Sequence, residues 1–328
     1  MRIIWMGAGE IGLPSLKWLI DESGHEVVAV FTQPDRPVGR KQVLTATVTK
    51  LLAVERGIPV FQPENLRRQP ELLQSLQDLQ PDLIVVMAYG CFLPRAVIEV
   101  PSLACINLHA SLLPKHRGAA PIQAAIMAGD EKSGITVMHI AAKLDAGDMI
   151  CKQTLDLAAD ETGGCLHDRL AQLGPQALAA ALPLLESGEV EREVQDESQM
   201  THIGKLGRED GVIDWSRSAV EIDRLVRAFD PWPGTKTQVL LADGKKAQMK
   251  IFPPVKAAQL SEVEMLGFES SPAGTILPTE EVKTQGLRVK TGDGVLQLFQ
   301  LQLEGRARMD ADALLRGRAL AAGSRLGK

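Results

Sequence analysis

Two side chains that could act on a carbonyl compound lie two residues apart, where a strand-like apolar run gives way to a loop. Asn107 and His109 leave an extended chain on the same side. Asn107 offers a neutral hydrogen-bond donor, and His109 carries a group that titrates near neutrality. Asp145, thirty-six residues further on, is available to orient the imidazole. The set forms a candidate site for transfer at a carbonyl carbon, although spacing alone equally allows a turn asparagine, a surface histidine and a loop aspartate.

The elements that must position these residues are short apolar runs alternating with helical patterns. Such continuous hydrophobic strands separated by helices indicate a parallel, doubly wound α/β sheet. Ligands of such sheets bind beyond the carboxyl ends of the strands, which is where Asn107 and His109 lie. Strands are predicted at 3–6, 27–31, 83–88, 104–108, 136–140 and 149–155. Helices are predicted at 13–20, 48–56, 70–79, 122–128 and 165–185.

The length of 328 residues favours two domains over one. We predict an N-terminal Rossmann-like domain over residues 1–189, because the alternating pattern ends there. The charged segment 190–206 then has low hydrophobicity and is predicted to be a linker. Residues 207–328 contain one amphipathic helix at 219–229 followed by short strands with turn signals. That pattern is typical of a small OB-like β-barrel.

Composition narrows the functional classes. The chain is 45% hydrophobic with no apolar run of eighteen residues, so we expect no membrane span and a cytoplasmic protein. Four scattered cysteines favour reduced thiols over disulfides or a zinc site. The net charge is −5, with +2 on residues 207–328 and −7 on the remainder, which permits contact with a phosphate backbone without requiring it. We find no obvious dimerisation stripe and expect a monomer.

A glycine motif at the first strand resembles a dinucleotide-binding turn. Residues 7–12 read Gly-Ala-Gly-Glu-Ile-Gly, which fits GxGxxG. The acidic residue that such sites place at the end of the second strand would fall near Thr32 or Gln33, and neither is acidic. We therefore predict a tight strand-to-helix turn and no NAD.

The sequence around Asn107 resembles the folate-dependent formyltransferases. Their signature is Asn-x-His before a Ser-Leu-Leu-Pro loop and, later, Leu-Asp-x-Gly, which correspond here to 107–114 and 144–147. The flank Arg-Gly-Ala-Ala-Pro at 117–121 adds to the resemblance. The blocks that resemble members acting on methionyl-tRNA are 31–40, 88–90, 213–216 and 227–234.

This resemblance spans nearly the whole chain, from Met6 to about Leu320, and it implies a Rossmann-like formyltransferase domain followed by an OB-like domain. It also implies 10-formyltetrahydrofolate as formyl donor and the α-amino group of initiator methionyl-tRNA as acceptor, with no metal. Asn107, His109 and Asp145 are then the catalytic residues. The residues expected to surround the folate are Met87, Tyr89, Gly90, Ser111, Leu112, Leu113 and Pro114. His116 replaces an aromatic residue usual in the family, and we expect it to be a spectator.

The loop after the second strand departs from the family pattern. In relatives an insertion here is associated with holding the acceptor end of the tRNA. In this chain residues 41–47 carry fewer charges than usual and no proline. Arg36, Arg40 and Lys41 are the basic residues that the resemblance offers for contact with tRNA.

Three other functions stay open at this stage. A formyltransferase for an amino-sugar nucleotide would share the three catalytic residues and a second domain, whereas a glycinamide ribonucleotide formyltransferase would not need residues 207–328. A non-catalytic tRNA-binding protein would use the barrel alone and would have no use for the complete Asn/His/Asp set.

Overall fold

The structure is a computed structural model that describes residues 1–39, 41–66, 70–241, 244–258, 270–277, 286–316, 320 and 323–327. The chain divides into two compact units, neither of which is continuous in sequence. The first unit comprises Met1–Pro121, Lys132–Asp156 and His167–Ile203. The second comprises Ile122–Glu131, Leu157–Leu166 and Gly204–Lys328.

The first unit is built on a seven-stranded sheet among the residues described. Its strands, with those of two small ribbons, are β1 Arg2–Gly7, β2 Glu26–Phe31, β3 Arg36–Val38, β4 Val43–Thr45, β5 Val60–Phe61, β6 Leu83–Met87, β7 Ala104–His109, β8 Arg117–Gly118, β9 Lys132–His139, β10 Met149–Asp156 and β11 His202–Ile203. The main sheet has the order β10-β9-β7-β6-β1-β2-β5. Strands β3 and β4 form one ribbon, and β8 and β11 form the other.

The centre of the sheet is apolar on both faces. All five residues of β6 and five of the six in β1 are buried, which explains why their sequences are continuous hydrophobic runs. Strand β6 pairs in parallel with β1 on one side and β7 on the other. Because parallel strands end at the same edge, the ends of β1, β6 and β7 line one edge of the sheet.

The sheet is mixed, and the prediction of a parallel sheet is wrong for its last two strands. Strand β9 is antiparallel to β7, and β10 is antiparallel to β9. Residues 140–148 join β9 to β10 without a helix. A parallel pair needs a longer crossover, usually a helix, whereas antiparallel neighbours are joined by short loops. The coarse α/β architecture is confirmed.

Six of the eight helices named here lie where the hydrophobic periodicity predicts them. They are α1 Leu13–Asp21, α2 Val48–Glu55, α3 Pro70–Asp78, α4 Arg95–Ile98, α5 Pro121–Ala128, α6 Gly163–Ser187, α7 Ala219–Ala228 and α8 Ala311–Arg316. Thr47 caps α2, because its side chain accepts a hydrogen bond from Lys50 N. Ser218 and Glu221 form a capping box at α7. The short helices α4 and α8 were not predicted.

The glycine motif is explained by packing between β1 and the neighbouring elements. A Cβ on Gly7 would lie 2.6 Å from the carbonyl oxygen of Met87 and 2.7 Å from the Trp5 indole nitrogen. A Cβ on Gly12 would lie 2.7 Å from the Trp5 ring. The buried Trp5 side chain therefore requires small residues at both positions, which supports a tight turn.

The second unit contains an antiparallel sheet covered by a helix. Its strands are β12 Thr235–Leu240, β13 Lys246–Ala258, β14 Leu287–Lys290, β15 Val295–Leu303 and β16 Met309–Asp310, in the order β12-β13-β15-β14 with β16 on β15. Ile222 and Val226 of α7 belong to the same buried cluster as Met249 and Leu301 of the sheet. The alternation of buried and exposed residues in β12 is typical of a sheet with one buried face.

The segment predicted to be a linker takes part in the first unit. Strand β11 pairs in parallel with β8, and Gln195 is only 5% exposed. In the part of the chain that the structure describes, no helix is both long and apolar enough to cross a membrane.

Candidate active site

Strand β7 carries Asn107 and His109 to the edge of the sheet. Asn107 pairs in register with Val86 of β6 and Met138 of β9, and His109 is the last residue of the strand. His109 is buried, whereas Asn107 is half-buried. Within the described residues, the side-chain amide of Asn107 has no hydrogen-bond partner. That amide is therefore available to a substrate oxygen.

The imidazole of His109 lies between a carboxylate and a backbone carbonyl. Its Nδ1 is 3.7 Å from Oδ2 of Asp145, and its Nε2 is 3.0 Å from the carbonyl oxygen of His116. Because a carbonyl oxygen only accepts hydrogen bonds, Nε2 carries the proton. The lone pair of the neutral ring is then on Nδ1, beside Asp145.

The backbone on both sides of this contact adopts a conformation that is rare outside glycine. Asp145 has φ +50° and His116 has φ +60°, which is the left-handed region. Gly118 N donates a hydrogen bond of 2.8 Å to Oδ2 of Asp145. Such conformations cost on the order of 1–3 kcal/mol each and cluster at functional sites. The backbone carbonyl of His116 contacts His109, while the prediction that the His116 side chain is a spectator stays a prediction.

The surroundings of His109 favour a neutral ring. Burial lowers the pKa of His109 below its ordinary value, and the negative charge of Asp145 opposes this effect. The positive charge of Arg117 lowers the His109 pKa further. At neutral pH the imidazole is consequently uncharged and able to accept a proton.

The side chain of Thr136 holds the loop after His109 through two hydrogen bonds. Thr136 Oγ1 donates to the carbonyl oxygen of Ser111 at 2.7 Å and accepts from Leu113 N at 3.1 Å. The Ser111 hydroxyl donates to the carbonyl oxygen of Lys115 at 2.7 Å. Leu113 is buried against Met138 and Met149, while Leu112 and Pro114 are half-buried. Ser111 and Leu113 therefore shape this loop, whereas Leu112 and Pro114 present part of their surface.

The residues after β6 form the second predicted part of the folate site. Met87 and Tyr89 are buried, and Gly90 is exposed with φ +77°. The side-chain amide of Gln33 donates to the carbonyl oxygen of Tyr89 at 2.9 Å. The buried Tyr89 hydroxyl has no hydrogen-bond partner in the described structure, and burial raises the pKa of Tyr89 above its ordinary value.

A cleft of about 750 Å³ opens in the first unit, and among the described residues its lining contains none of the seven predicted to surround the folate. It is mostly apolar, with Arg95 and Glu99 as charged lining residues. Its lining consists of Leu66, Leu73, Phe92, Leu93, Pro94, Arg95, Ala96, Val97, Ile98, Glu99, Ile140 and Ala142. The stretch 92–99 was missed in the sequence, although its position after the carboxyl end of β6 is where such sheets bind ligands.

The predicted tRNA contacts lie at a small exposed hairpin. Strand β3 begins with Arg36 and pairs with β4, and every residue of both strands is exposed. The Arg36 guanidinium donates to Oε1 of Gln33 at 3.2 Å. Lys41 is exposed in the connecting turn. Arg40 lies outside the described residues.

The base of this hairpin is tied to the first unit. Lys50 forms a 2.7 Å ion pair with Asp35, which directly precedes β3. Gln62 donates to Asp35 at 2.7 Å as well. These hydrogen bonds from Lys50 and Gln62 lower the pKa of Asp35. The base of the hairpin at Asp35 is thus fixed, while the strands β3 and β4 are exposed.

A buried polar network behind Asp145 was also missed. Arg117 is 2% exposed, and its guanidinium contacts Gln195 and Glu197 from the predicted linker. No local pattern in the polar segment 190–206 marks Gln195 as buried. No group of three or more His, Cys, Asp or Glu residues among those described is placed to hold a metal ion.

The chain is similar to known proteins over most of its length. Residues 1–182 match the family described as formyl transferase, and residues 205–319 match the formyl transferase C-terminal domain. The chain belongs to the formyl transferase family. A relative from Akkermansia muciniphila, named methionyl-tRNA formyltransferase, is 48% identical over 317 residues, which are 97% of this chain and 96% of that protein.

Solved structures share the fold of this formyl transferase at low identity. The N-formyltransferase from Helicobacter canadensis, in complex with folinic acid and dTDP-3-aminofucose, matches with a TM-score of 0.63 at 15% identity over 91% of this chain and 100% of that one. HypX from Aquifex aeolicus, in complex with tetrahydrofolic acid, matches with a TM-score of 0.56 at 17% identity. The match covers 98% of this chain and 48% of HypX, so the chain spans about half of that protein.

Proposed function

We propose that this protein transfers the formyl group of 10-formyltetrahydrofolate to the α-amino group of methionyl-tRNA. The observation that carries the chemistry is the contact between the buried His109 and Asp145, since the strand that ends in His109 also presents the unpaired amide of Asn107. The acceptor is supported by the 48% identity with a methionyl-tRNA formyltransferase over 97% of the chain. A binding protein without catalysis would not need the buried polar pair.

Asn107 is the residue that stabilises the oxyanion. The methionine amine attacks the formyl carbon, forming a C–N bond and a tetrahedral centre with a negative oxygen. A neutral amide donates to that oxygen without changing its own charge, and one well-placed donor of this kind is worth about 3–4 kcal/mol. The absence of a described protein partner for the Asn107 amide leaves its donors available for this role.

His109 is the residue that moves the proton. Its Nε2 is engaged by the carbonyl oxygen of His116 at 3.0 Å, so Nδ1 is the atom that receives a proton in this arrangement. The resulting imidazolium is stabilised by Asp145, 3.7 Å away. When the bond between the formyl carbon and N10 of the folate breaks, the proton passes to N10. Such acid–base assistance contributes about 10²–10⁴-fold.

The folate occupies the cleft beside α4. Its volume of about 750 Å³ lies within the usual range for small-molecule sites of about 300–1,000 Å³. An apolar slot with few charged groups suits a flat pterin ring. Ile140 and Ala142 line the cleft and precede Asp145 in the same loop, which connects the cleft to the catalytic carboxylate. Gly90, Leu112 and Pro114 are the predicted contact residues that are not buried.

The acceptor stem of the tRNA is held by the β3–β4 hairpin and the C-terminal domain. Arg36, Arg40 and Lys41 are the proposed phosphate contacts. We further propose that residues 207–328 form an OB-like tRNA-binding barrel, with domain bounds of 1–189 and 207–328. A cytoplasmic monomer fits a translation enzyme of this kind, and sedimentation at assay concentration tests the monomer.

One assay separates this function from its nearest competitor, the formylation of an amino-sugar nucleotide. The protein is incubated with 10-formyltetrahydrofolate and either charged initiator tRNA or an amino-sugar nucleotide. We expect formylmethionyl-tRNA and no formylated sugar. Formylation of the sugar nucleotide alone, with no product on tRNA, would contradict the proposed acceptor.

A further inference from the structure

The side-chain amide of Gln195 is almost fully buried and makes four hydrogen bonds with nitrogen and oxygen atoms, besides a 3.9 Å contact of its Nε2 with the Met138 sulfur. Its Oε1 accepts hydrogen bonds from Nε and Nη2 of Arg117 at 2.9 and 2.7 Å. Its Nε2 donates to the carbonyl oxygens of Asp145 and Gly147, each at 2.8 Å. A guanidinium only donates and a carbonyl only accepts, so one orientation of the amide satisfies all four contacts.

The loop held by Gln195 is the one that carries Asp145. Asp145 has a left-handed backbone, with φ +50°, which a non-glycine residue leaves readily unless its neighbours fix it. Gly147 is confined as well, because a Cβ there would overlap the carbonyl oxygen of His139. The two hydrogen bonds from Gln195 bracket Asp145 and hold both its own carbonyl and that of Gly147 in place.

The segment around Gln195 also holds the loop on the other side of His109. Arg117 N donates to the carbonyl oxygen of Thr201 at 2.9 Å, and His116 N donates to the Thr201 hydroxyl at 2.8 Å. Glu197 contacts the Arg117 guanidinium at 2.8 Å and Lys143 at 2.7 Å. Both loops that contact the imidazole are therefore fixed to the same stretch of chain.

We propose that Gln195, supported by Arg117, is a positioning residue for formyl transfer: it fixes the backbone at Asp145 so that the carboxylate faces His109. This inference rests on the proposed function. Without the two donated hydrogen bonds, the loop relaxes and the carboxylate moves relative to the imidazole. Displacements of about 1 Å at a catalytic group cost up to about 10²-fold in rate, while groups that bind the substrates stay in place.

Two substitutions at Gln195 and one matched control test the proposal. Gln195→Glu keeps an acceptor for Arg117 and loses the donors to the loop, whereas Gln195→Met removes all four contacts. We expect kcat to fall about 10–100-fold in both, with KM for each substrate within about twofold. Gln199→Met changes an exposed glutamine of the same segment whose side chain, among the residues described, bonds to Asp196 alone, and it should leave kcat unchanged.

A double-mutant cycle with Asp145→Asn distinguishes positioning from a general loss of stability. If Gln195 acts through the carboxylate, adding Gln195→Glu to the Asp145→Asn variant lowers kcat by less than about a further twofold. Losses that multiply in the double variant would overturn the proposal. All rates are measured well below the melting temperature of each variant, determined by circular dichroism.

The wild-type protein separates failure of this inference from failure of the proposed function. A wild type that does not formylate methionyl-tRNA contradicts the function itself. A wild type that is active, together with a folded Gln195→Glu variant of undiminished kcat, contradicts only the role of Gln195. Because Gln195→Glu preserves the partner of the buried guanidinium, it remains informative even if Gln195→Met unfolds.

Discussion

The surroundings of His109 and the β3–β4 hairpin are built in opposite ways. The imidazole is 5% exposed and contacts one carboxylate and one backbone carbonyl, whereas Val38, Val43 and Leu44 of the hairpin are 56%, 59% and 66% exposed. The contacts around His109 hold the imidazole in one position and orientation, which proton transfer requires. The hairpin offers a surface whose charges act over a longer range. Changes near His109 should therefore alter kcat, and changes in the hairpin should alter KM for tRNA.

The largest effect is expected from His109→Ala. It removes the proton acceptor, so single-turnover formyl transfer should fall by about 10²–10⁴-fold, while the Kd for methionyl-tRNA changes by less than about twofold because the hairpin is untouched. His167→Ala is a matched control, since His167 also lies beside a carboxylate, Asp168 at 2.9 Å, but near the surface. Full single-turnover activity of His109→Ala would remove His109 from the mechanism.

The same contrast explains what the sequence could and could not predict. Asn107, His109 and Asp145 lie in segments whose local pattern ends a strand or forms a loop, so the sequence predicts their places in the fold, while their catalytic roles are implied by the resemblance to the formyltransferases. Gln195 contacts Arg117 across 78 residues and Asp145 across 50. No local hydrophobic period encodes a buried polar side chain whose partners are that distant.

The fold shows the same limit. The six helices and six strands predicted from periodicity all lie within a few residues of observed elements, whereas the short strands β3, β4, β5, β8 and β11 have no such pattern and were not predicted. The direction of β9 and β10 depends on how the chain returns after α5, and strand composition does not encode it. The cleft at 92–99 likewise arises from the packing of α4 against the loop at Ile140, two segments that are distant in sequence.

An intermediate effect is expected in the hairpin. Arg40→Ala and Lys41→Ala should each raise KM for methionyl-tRNA about 3–10-fold and leave kcat and the KM for folate within about twofold, because each removes one phosphate contact. The dependence of log KM on log salt should become shallower by about one unit per contact removed. Lys17→Ala, an exposed lysine on α1, is the control. An unchanged KM and salt slope in both hairpin variants would count against the hairpin as the tRNA contact.

The smallest effect, and the most specific for the His109–Asp145 contact, is a displacement of the pH profile. The acid limb of kcat/KM follows the His109 pKa in the free enzyme, because the neutral ring is the active form. Burial lowers that pKa, Asp145 and the hydrogen bond to the His116 carbonyl oxygen raise it, and the positive charge of Arg117 lowers it further. The wild type should therefore be active at neutral pH and lose activity as the pH falls through the lowered His109 pKa. Asp145→Asn preserves the shape of the side chain and removes the charge, so the acid limb of its residual activity should move to still lower pH.

Asp168→Asn removes an exposed carboxylate elsewhere and should leave the acid limb in place. An acid limb that stays fixed or moves to higher pH in Asp145→Asn would mean that the carboxylate does not raise the pKa of the imidazole. The site around His109 would then lack the electrostatic contact that distinguishes it from the exposed hairpin.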